Sequence, residues 1–263
     1  MIKTTWHERV AVLAFDRPAS LNALDPDLLQ ALGTAMRDAL RENVKALVLT
    51  GEGRAFSAGA DLRWFAQRSA QGVDAQRAAL SDMLEAGGNV VQAILDAPVP
   101  VVSAINGPCI GGAMGMALAA DVALAARSAY FALPHVPQLG IVPDLGVSWL
   151  LPRLVGRPRA MAMSLFGDKI TAEQAERWGM VWHCVDDDAL QAEALSTARR
   201  LASMPAQAVI GTRRLLDDAL ERSIALQLDE EGHRQMELLM SDAKNAALGL
   251  PAVSRSASRA ARQ

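Results

Sequence analysis

Residues 99 to 121, VPVVSAINGPCIGGAMGMALAAD, constrain this chain more than any other stretch. An apolar run from Val99 to Ile105 ends at Asn106-Gly107-Pro108. It passes through Gly111-Gly112 and resumes as the small-residue segment Ala113 to Ala120 before Asp121. That order predicts a buried strand, a tight turn that uses glycine backbone freedom, and the opening of a buried helix. A helix that starts on two glycines presents bare backbone N–H groups, whose partial positive charge seats developing negative charge on a ligand. A tight turn needed only for packing carries the same signature, so the stretch is a candidate site with a structural alternative beside it.

The 263 residues are enough for one large core and a small appendage. A net charge of −3 gives no basic face of the kind that phosphate backbones require, so no nucleic-acid partner is expected. Cys109 and Cys184 are too few and too far apart for a disulfide framework or a zinc site, which fits a reducing, cytoplasmic setting and no metal. Glu8 and Arg9 interrupt the N-terminal stretch where a signal peptide would be apolar. The central apolar run stops at Asp121, short of a bilayer's width, and no membrane association is expected.

Along the chain, Val10 to Asp16 and Val44 to Thr50 read as strands. Between them Asp25-Pro26 opens a helix whose apolar face is Leu28, Leu29, Leu32, Met36 and Leu40. Ala55 to Leu62 is a strand end running into a small-residue turn. From Leu62 to about Ala79 the charges follow no firm period, which predicts a mobile connection with some helix; Ser81 to Asp96 is a helix. Val122 to Ala126 and Tyr130 to Leu133 are short strands, and beyond Asp144 the pattern is helical almost throughout, ending in Ser223 to Leu248. The alternation argues for an α/β core with function at strand-end turns. No repeat is present, and the tail from Pro251 to Gln263 has little to bury.

Two turns share one character: Ala58-Gly59-Ala60-Asp61 and Gly111-Gly112-Ala113. Backbone N–H groups converging from both would form an oxyanion hole for an enolate or a tetrahedral oxyanion, without any side chain. Several further segments accompany them: Arg17-Pro18 with Leu21-Asn22-Ala23-Leu24, Phe56 to Leu62, Asn106-Gly107, Gly140-Ile141-Val142-Pro143-Asp144, Trp149 to Arg153, and Ala172 to Ala175 with Trp178 to Val181. In this order the chain resembles the crotonase (enoyl-CoA hydratase/isomerase) superfamily over residues 8 to 245, and in its later motifs the phenylacetate-pathway enoyl-CoA isomerases.

The resemblance implies an α/β crotonase-like spiral of ββα units over residues 1–200, a helical C-terminal trimerisation subdomain over 201–250, and a disordered tail over 251–263. It implies a homotrimer or a hexamer built as a dimer of trimers. It further implies an acyl-CoA thioester whose carbonyl oxygen is held by the N–H groups of Ala58 and Gly112. Ala23, Leu24, Ala60, Asp61 and Leu62 would lie along the coenzyme, which is part of the substrate, so that no separate cofactor is expected.

Hydratases of the superfamily resemble one another in using two glutamates. Here the first position falls at Gly115, which cannot transfer a proton, and the second falls near His135 in a segment one residue longer than the family pattern. Water addition needs a base for water and an acid for the alpha carbon, so ordinary hydration is disfavoured. Asp144 stands where the isomerases place their proton shuttle, and it equally fits a cap for a helix starting at Gly146. His135 and Trp149 are assigned to the substrate side, although a histidine between prolines also suits a loop or subunit contact. Trp64 and Phe65 read chiefly as packing, as does Cys109. The expected activity is isomerisation of an enoyl-CoA. The alternatives are hydration, thioester hydrolysis or dehalogenation on the same scaffold, and non-catalytic acyl-CoA binding.

Overall fold

The computed structural model describes residues 1–240. These divide into a first unit, Met1–Ser203, and a second that begins at Met204. The first opens with strands β1 (Ile2–His7) and β2 (Val10–Phe15), helix α1 (Pro26–Arg41) and strand β3 (Ala46–Gly51). Helices α2 (Leu62–Ser69) and α3 (Val73–Leu95) follow, then β4 (Val101–Ile105), β5 (Cys109–Ile110), α4 (Ala113–Leu118), β6 (Val122–Ala126) and β7 (Tyr130–Ala132). The unit closes with α5 (Val147–Val155), α6 (Arg157–Phe166), β8 (Ile170–Thr171), α7 (Ala172–Arg177), β9 (His183–Val185) and α8 (Leu190–Ala202).

The apolar runs read from the sequence form the middle of a six-stranded sheet in the order β1-β2-β3-β4-β6-β9, parallel except for the β1/β2 hairpin. Every residue of β3 and β4 is buried, as strands covered on both faces must be. A second, three-stranded sheet runs β5-β7-β8, and an isolated parallel bridge between Ser57 and Cys109 extends it toward the first turn. Each coil therefore visits both sheets before its helix: β3, Ser57 and α2; β4, β5 and α4; β6, β7 and α5. This is the ββα spiral. Its core includes Phe15 and Phe56, edge to face with ring centroids 5.5 Å apart.

Helix α1 begins as its sequence predicts, with Pro26 in the first turn and the Asp25 carboxylate accepting from Leu28 N–H at 2.8 Å. The connection expected from Leu62 to Ala79 is instead helical apart from a break at Ala70 to Gly72. Asp61 caps α2 by accepting from the N–H groups of Arg63 and Trp64, both at 3.1 Å. The period was hard to read because α2 buries no side chain fully and α3 buries a stripe confined mostly to its C-terminal half. Beyond Asp144 the reading missed β8 and β9, too short to show a period. Thr171 caps α7 in a reciprocal box with Gln174.

The second unit contains α9 (Ala206–Asp218) and α10 (Ile224–Leu239), joined where Gln227 Nε2 donates to the Leu215 carbonyl at 3.0 Å. The expected continuation of the last helix to Leu248 and the tail 251–263 lie outside the described residues.

Candidate active site

Hydrogen-bond accounting through the first turn identifies which of its backbone donors are free. Asn22, fully buried, bonds through Nδ2 to the carbonyls of Glu52 (3.0 Å) and Ala55 (2.8 Å) and accepts from Arg17 N–H at 2.9 Å. Its own carbonyl accepts from Ser57 Oγ at 2.7 Å, and that hydroxyl oxygen accepts from Gly59 N–H at 3.2 Å. Ser57 N–H donates to Pro108 at 3.1 Å, Ala58 N–H to Leu21 at 2.9 Å and Asp61 N–H to Leu24 at 2.7 Å. Among the described residues, Ala60 N–H is the one donor between Ser57 and Asp61 with no protein acceptor. The expectation that Ala58 supplies the oxyanion donor is therefore corrected: its N–H is spent on the Leu21 carbonyl, and Ala60, expected only to line the coenzyme, holds the free group.

The second turn is stitched to the first. Ile110 N–H donates to Ser57 at 3.0 Å and Gly111 N–H to Ala132 at 3.0 Å, while Gly112 N–H has no acceptor among the described residues. A Cβ on Gly59 would lie 2.7 Å from the Ile110 carbonyl oxygen, and its φ is +83°, so only glycine permits this approach of the two backbones.

Ala60 and Gly112 both line a cavity of about 310 Å³. Leu24, Ala58, Asp61, Leu62, His135 and Asp144 line it too. Ala23 and Trp149 do not. Ala23 is buried behind the turn. Trp149 packs beside the core with the Arg153 guanidinium 3.7 Å above its ring. The rest of the wall is apolar: Trp64 and Phe65 from α2, Leu80, Met83 and Leu84 from α3, and Leu139 and Ile141. Trp64 and Phe65, read from the sequence chiefly as packing, thus form part of the cavity wall. Leu80 and Leu84 are half exposed at helical spacing, a signal the sequence carried and the reading passed over.

Asp144 reaches the cavity from the loop before α5. Its side chain is one-third exposed and does not cap that helix, whose N-cap is Gly146 with no side-chain bond. The carboxylate lies beside the second turn instead, with Oδ1 2.9 Å from where a Cβ on Gly112 would stand and 3.3 Å from His135 Nε2. His135 is buried, not a surface loop residue. A Cβ on Gly115 would lie 1.8 Å from the Leu145 carbonyl oxygen. The second carboxylate of the cavity, Asp61, is occupied with its helix cap and with Arg17 at 3.4 Å. Burial pushes the Cys109 thiol far up, which keeps it protonated and inert. Asp121 Oδ2 accepts from Val101 N–H at 2.7 Å, fixing the start of β4. No three His, Cys, Asp or Glu side chains among the described residues are grouped to hold a metal, and no described helix is long and apolar enough to cross a membrane.

Fold and site together define a class: a crotonase-type α/β spiral that offers two unpaired backbone N–H groups and a carboxylate, Asp144, bonded at one oxygen to His135, to a largely apolar cavity. The chain belongs to the enoyl-CoA hydratase/isomerase family, whose profile matches residues 5–248. It is 36% identical over 226 residues to the 1,2-epoxyphenylacetyl-CoA isomerase of Escherichia coli, covering 84% of each chain. A Rhodobacter capsulatus protein designated "Probable enoyl-CoA hydratase" is 38% identical over 231 residues, covering 88% of this chain and 86% of that one. The crystal structure of an enoyl-CoA hydratase from Polaromonas sp. JS666 superposes with a TM-score of 0.85 at 27% identity, covering 94% and 96% of the two chains. The chain is an enzyme of this family.

Proposed function

We propose that the protein is an enoyl-CoA isomerase that moves a carbon–carbon double bond of an acyl-CoA thioester through an enolate. The thioester oxygen sits between the N–H groups of Ala60 and Gly112, where fixed donors stabilise charge as it develops. Asp144 removes a proton from the alpha carbon, the electron pair of that C–H bond moves into the enolate, and the double bond shifts as the same carboxyl returns the proton to the gamma carbon. Coenzyme A enters as part of the substrate. The second unit is read as the trimerisation element of a trimer or a dimer of trimers, a reading that the molar mass by light scattering tests.

The observation that carries the reading is the 1.8 Å between the Leu145 carbonyl oxygen and a Cβ on Gly115. The position at which the resemblance puts a hydratase's first acid is thus a glycine pressed against backbone, which supports a mechanism that does without that acid. The test is incubation of the enzyme with 2-enoyl- and 3-enoyl-CoA esters in deuterated water. Isomerisation lost in a folded Asp144→Ala variant is the expected result, with solvent deuterium entering the alpha and gamma carbons to the extent that the Asp144 carboxyl exchanges its proton before returning it. Solvent oxygen at the beta carbon would replace this reading with hydration, for which His135 and Asp144, 3.3 Å apart, are the two proton-handling groups.

A further inference from the structure

The segment that leads to Asp144 contains a single π-helical turn, His135–Leu139. Such turns are rare and are found frequently at functional sites. Here the turn closes through Gly140 N–H to Val136 (3.2 Å) and Ile141 N–H to His135 (3.0 Å). It is braced from behind by the C-terminus of α6, where a Cβ on Gly167 would lie 2.7 Å from Pro137 Cγ. Of the five side chains in the turn, His135 alone is buried. Its Cε1 edge faces Gly111, 3.5 Å from where a Cβ would stand, and its Nε2 faces Asp144 Oδ1.

The polar atoms of the ring are unequally served. Nδ1 is buried without a hydrogen-bond partner. An orphaned buried N–H is rarer than an orphaned acceptor, so the proton belongs on Nε2, which donates it to Asp144. A Leu or Phe would fill the same space and leave no polar atom stranded. What the histidine adds is the one N–H aimed at the carboxylate.

We propose that His135 is a positioning residue for Asp144: its Nε2–H pins Oδ1 beside Gly112 and leaves Oδ2 as the oxygen that carries the proton between the alpha and gamma carbons. A carboxylate held at one oxygen keeps its second in a fixed arc, as a shuttle between two carbons of one substrate requires. The proposal rests on the isomerase reading, in which Asp144 is the only base.

The experiment compares wild type, H135F, H135Q, D144A and the H135F/D144A double variant on 3-hexenoyl-CoA. It measures kcat, KM and alpha-proton exchange in deuterated water. With the N–H removed, H135F loses about 10- to 100-fold in kcat and in exchange while KM stays within about twofold. H135Q, whose amide N–H reaches the same oxygen, recovers to within about fivefold of wild type. The double variant is no slower than D144A, because the histidine acts only through the carboxylate. An unchanged kcat in H135F overturns the proposal, as does a loss confined to KM, failure of H135Q to rescue, or an additive double variant. If H135F does not fold, H135M against H135Q makes the same comparison. An active D144A overturns the Asp144 reading itself; an inactive D144A with a fully active H135F overturns the positioning role alone.

Discussion

Replacing Gly115 by alanine tests whether the loop that carries Asp144 is seated by the absence of a side chain beneath it. The added methyl would start 1.8 Å from the Leu145 carbonyl oxygen, where carbon and carbonyl oxygen ordinarily approach to about 3.3 Å. Something must move by about 1.5 Å. Gly115 lies in the fully buried α4, so the yielding part is the 144–146 loop, in which Leu145 already sits at φ +45° and Gly146 at +80°. Overpacking of this kind costs about 1–3 kcal/mol, or about 3–10 °C in melting temperature for a unit of this size. The effect on rate is larger in proportion, because a base misplaced by about 1 Å loses about 100-fold. The assay is the appearance of the conjugated enoyl thioester from 3-hexenoyl-CoA, read beside a thermal melt. Gly88→Ala is the control. It lies on the exposed side of α3 with open space around it, and is expected to keep full activity and gain about 0.5–1 kcal/mol. Wild-type kcat and melting temperature in Gly115→Ala would refute the argument that backbone fills this site.

Asn22→Ala removes the partner of one buried and one part-buried carbonyl and of Arg17 N–H, and puts alanine at φ +56°; urea denaturation is expected to give a loss of about 2–4 kcal/mol, and a loss under about 1 kcal/mol contradicts it. The Glu176 carboxyl is held below its ordinary 4.5 by the Cys184 N–H first and by His183 next. Its contribution is therefore present above about pH 4.5 and is lost as pH falls through the lowered value, so Glu176→Gln flattens the acid side of the melting temperature against pH, and an unchanged slope counts against the contact. Cys109, buried with its thiol raised by desolvation, is expected to resist iodoacetamide in the native enzyme and to react after unfolding, read by peptide mass.

The sequence was most informative where burial is two-sided. Ala46 to Leu49, and Val101-Val102 with Ala104-Ile105, are apolar because β3 and β4 are buried along their whole length, and a glycine turn follows each. β1 was not read because Ile2–His7 is an edge strand whose burial alternates weakly along Ile-Lys-Thr-Thr-Trp-His. Leu62 to Ala79 reads as irregular for a related reason. Trp64 and Phe65 face a cavity and are apolar without being fully buried, so they blur the period that marks a packed face, whereas Ser81 to Asp96 is legible as a helix. The free N–H of the first turn lies two residues beyond the expected Ala58, at Ala60. Composition locates a small-residue turn, whereas the direction of each N–H depends on who accepts from it, and the acceptor for Ala58 is Leu21, 37 positions away in sequence. That His135 is buried with Nε2 facing Asp144 was not legible, because a histidine between prolines reads as loop and its ring direction depends on the turn that holds it.

The parallel bridge between Ser57 and Cys109 has a bearing on how such an enzyme changes over generations. It ties both N–H-bearing turns to the sheets, so their free donors are placed by strand pairing. Much of the apolar cavity wall comes from α2 and α3, outside both sheets. On the proposed reading, chemistry and selectivity are thus carried by separable pieces: Trp64, Phe65, Leu80 and Leu84 can change to suit another acyl group while the two turns keep their free N–H groups.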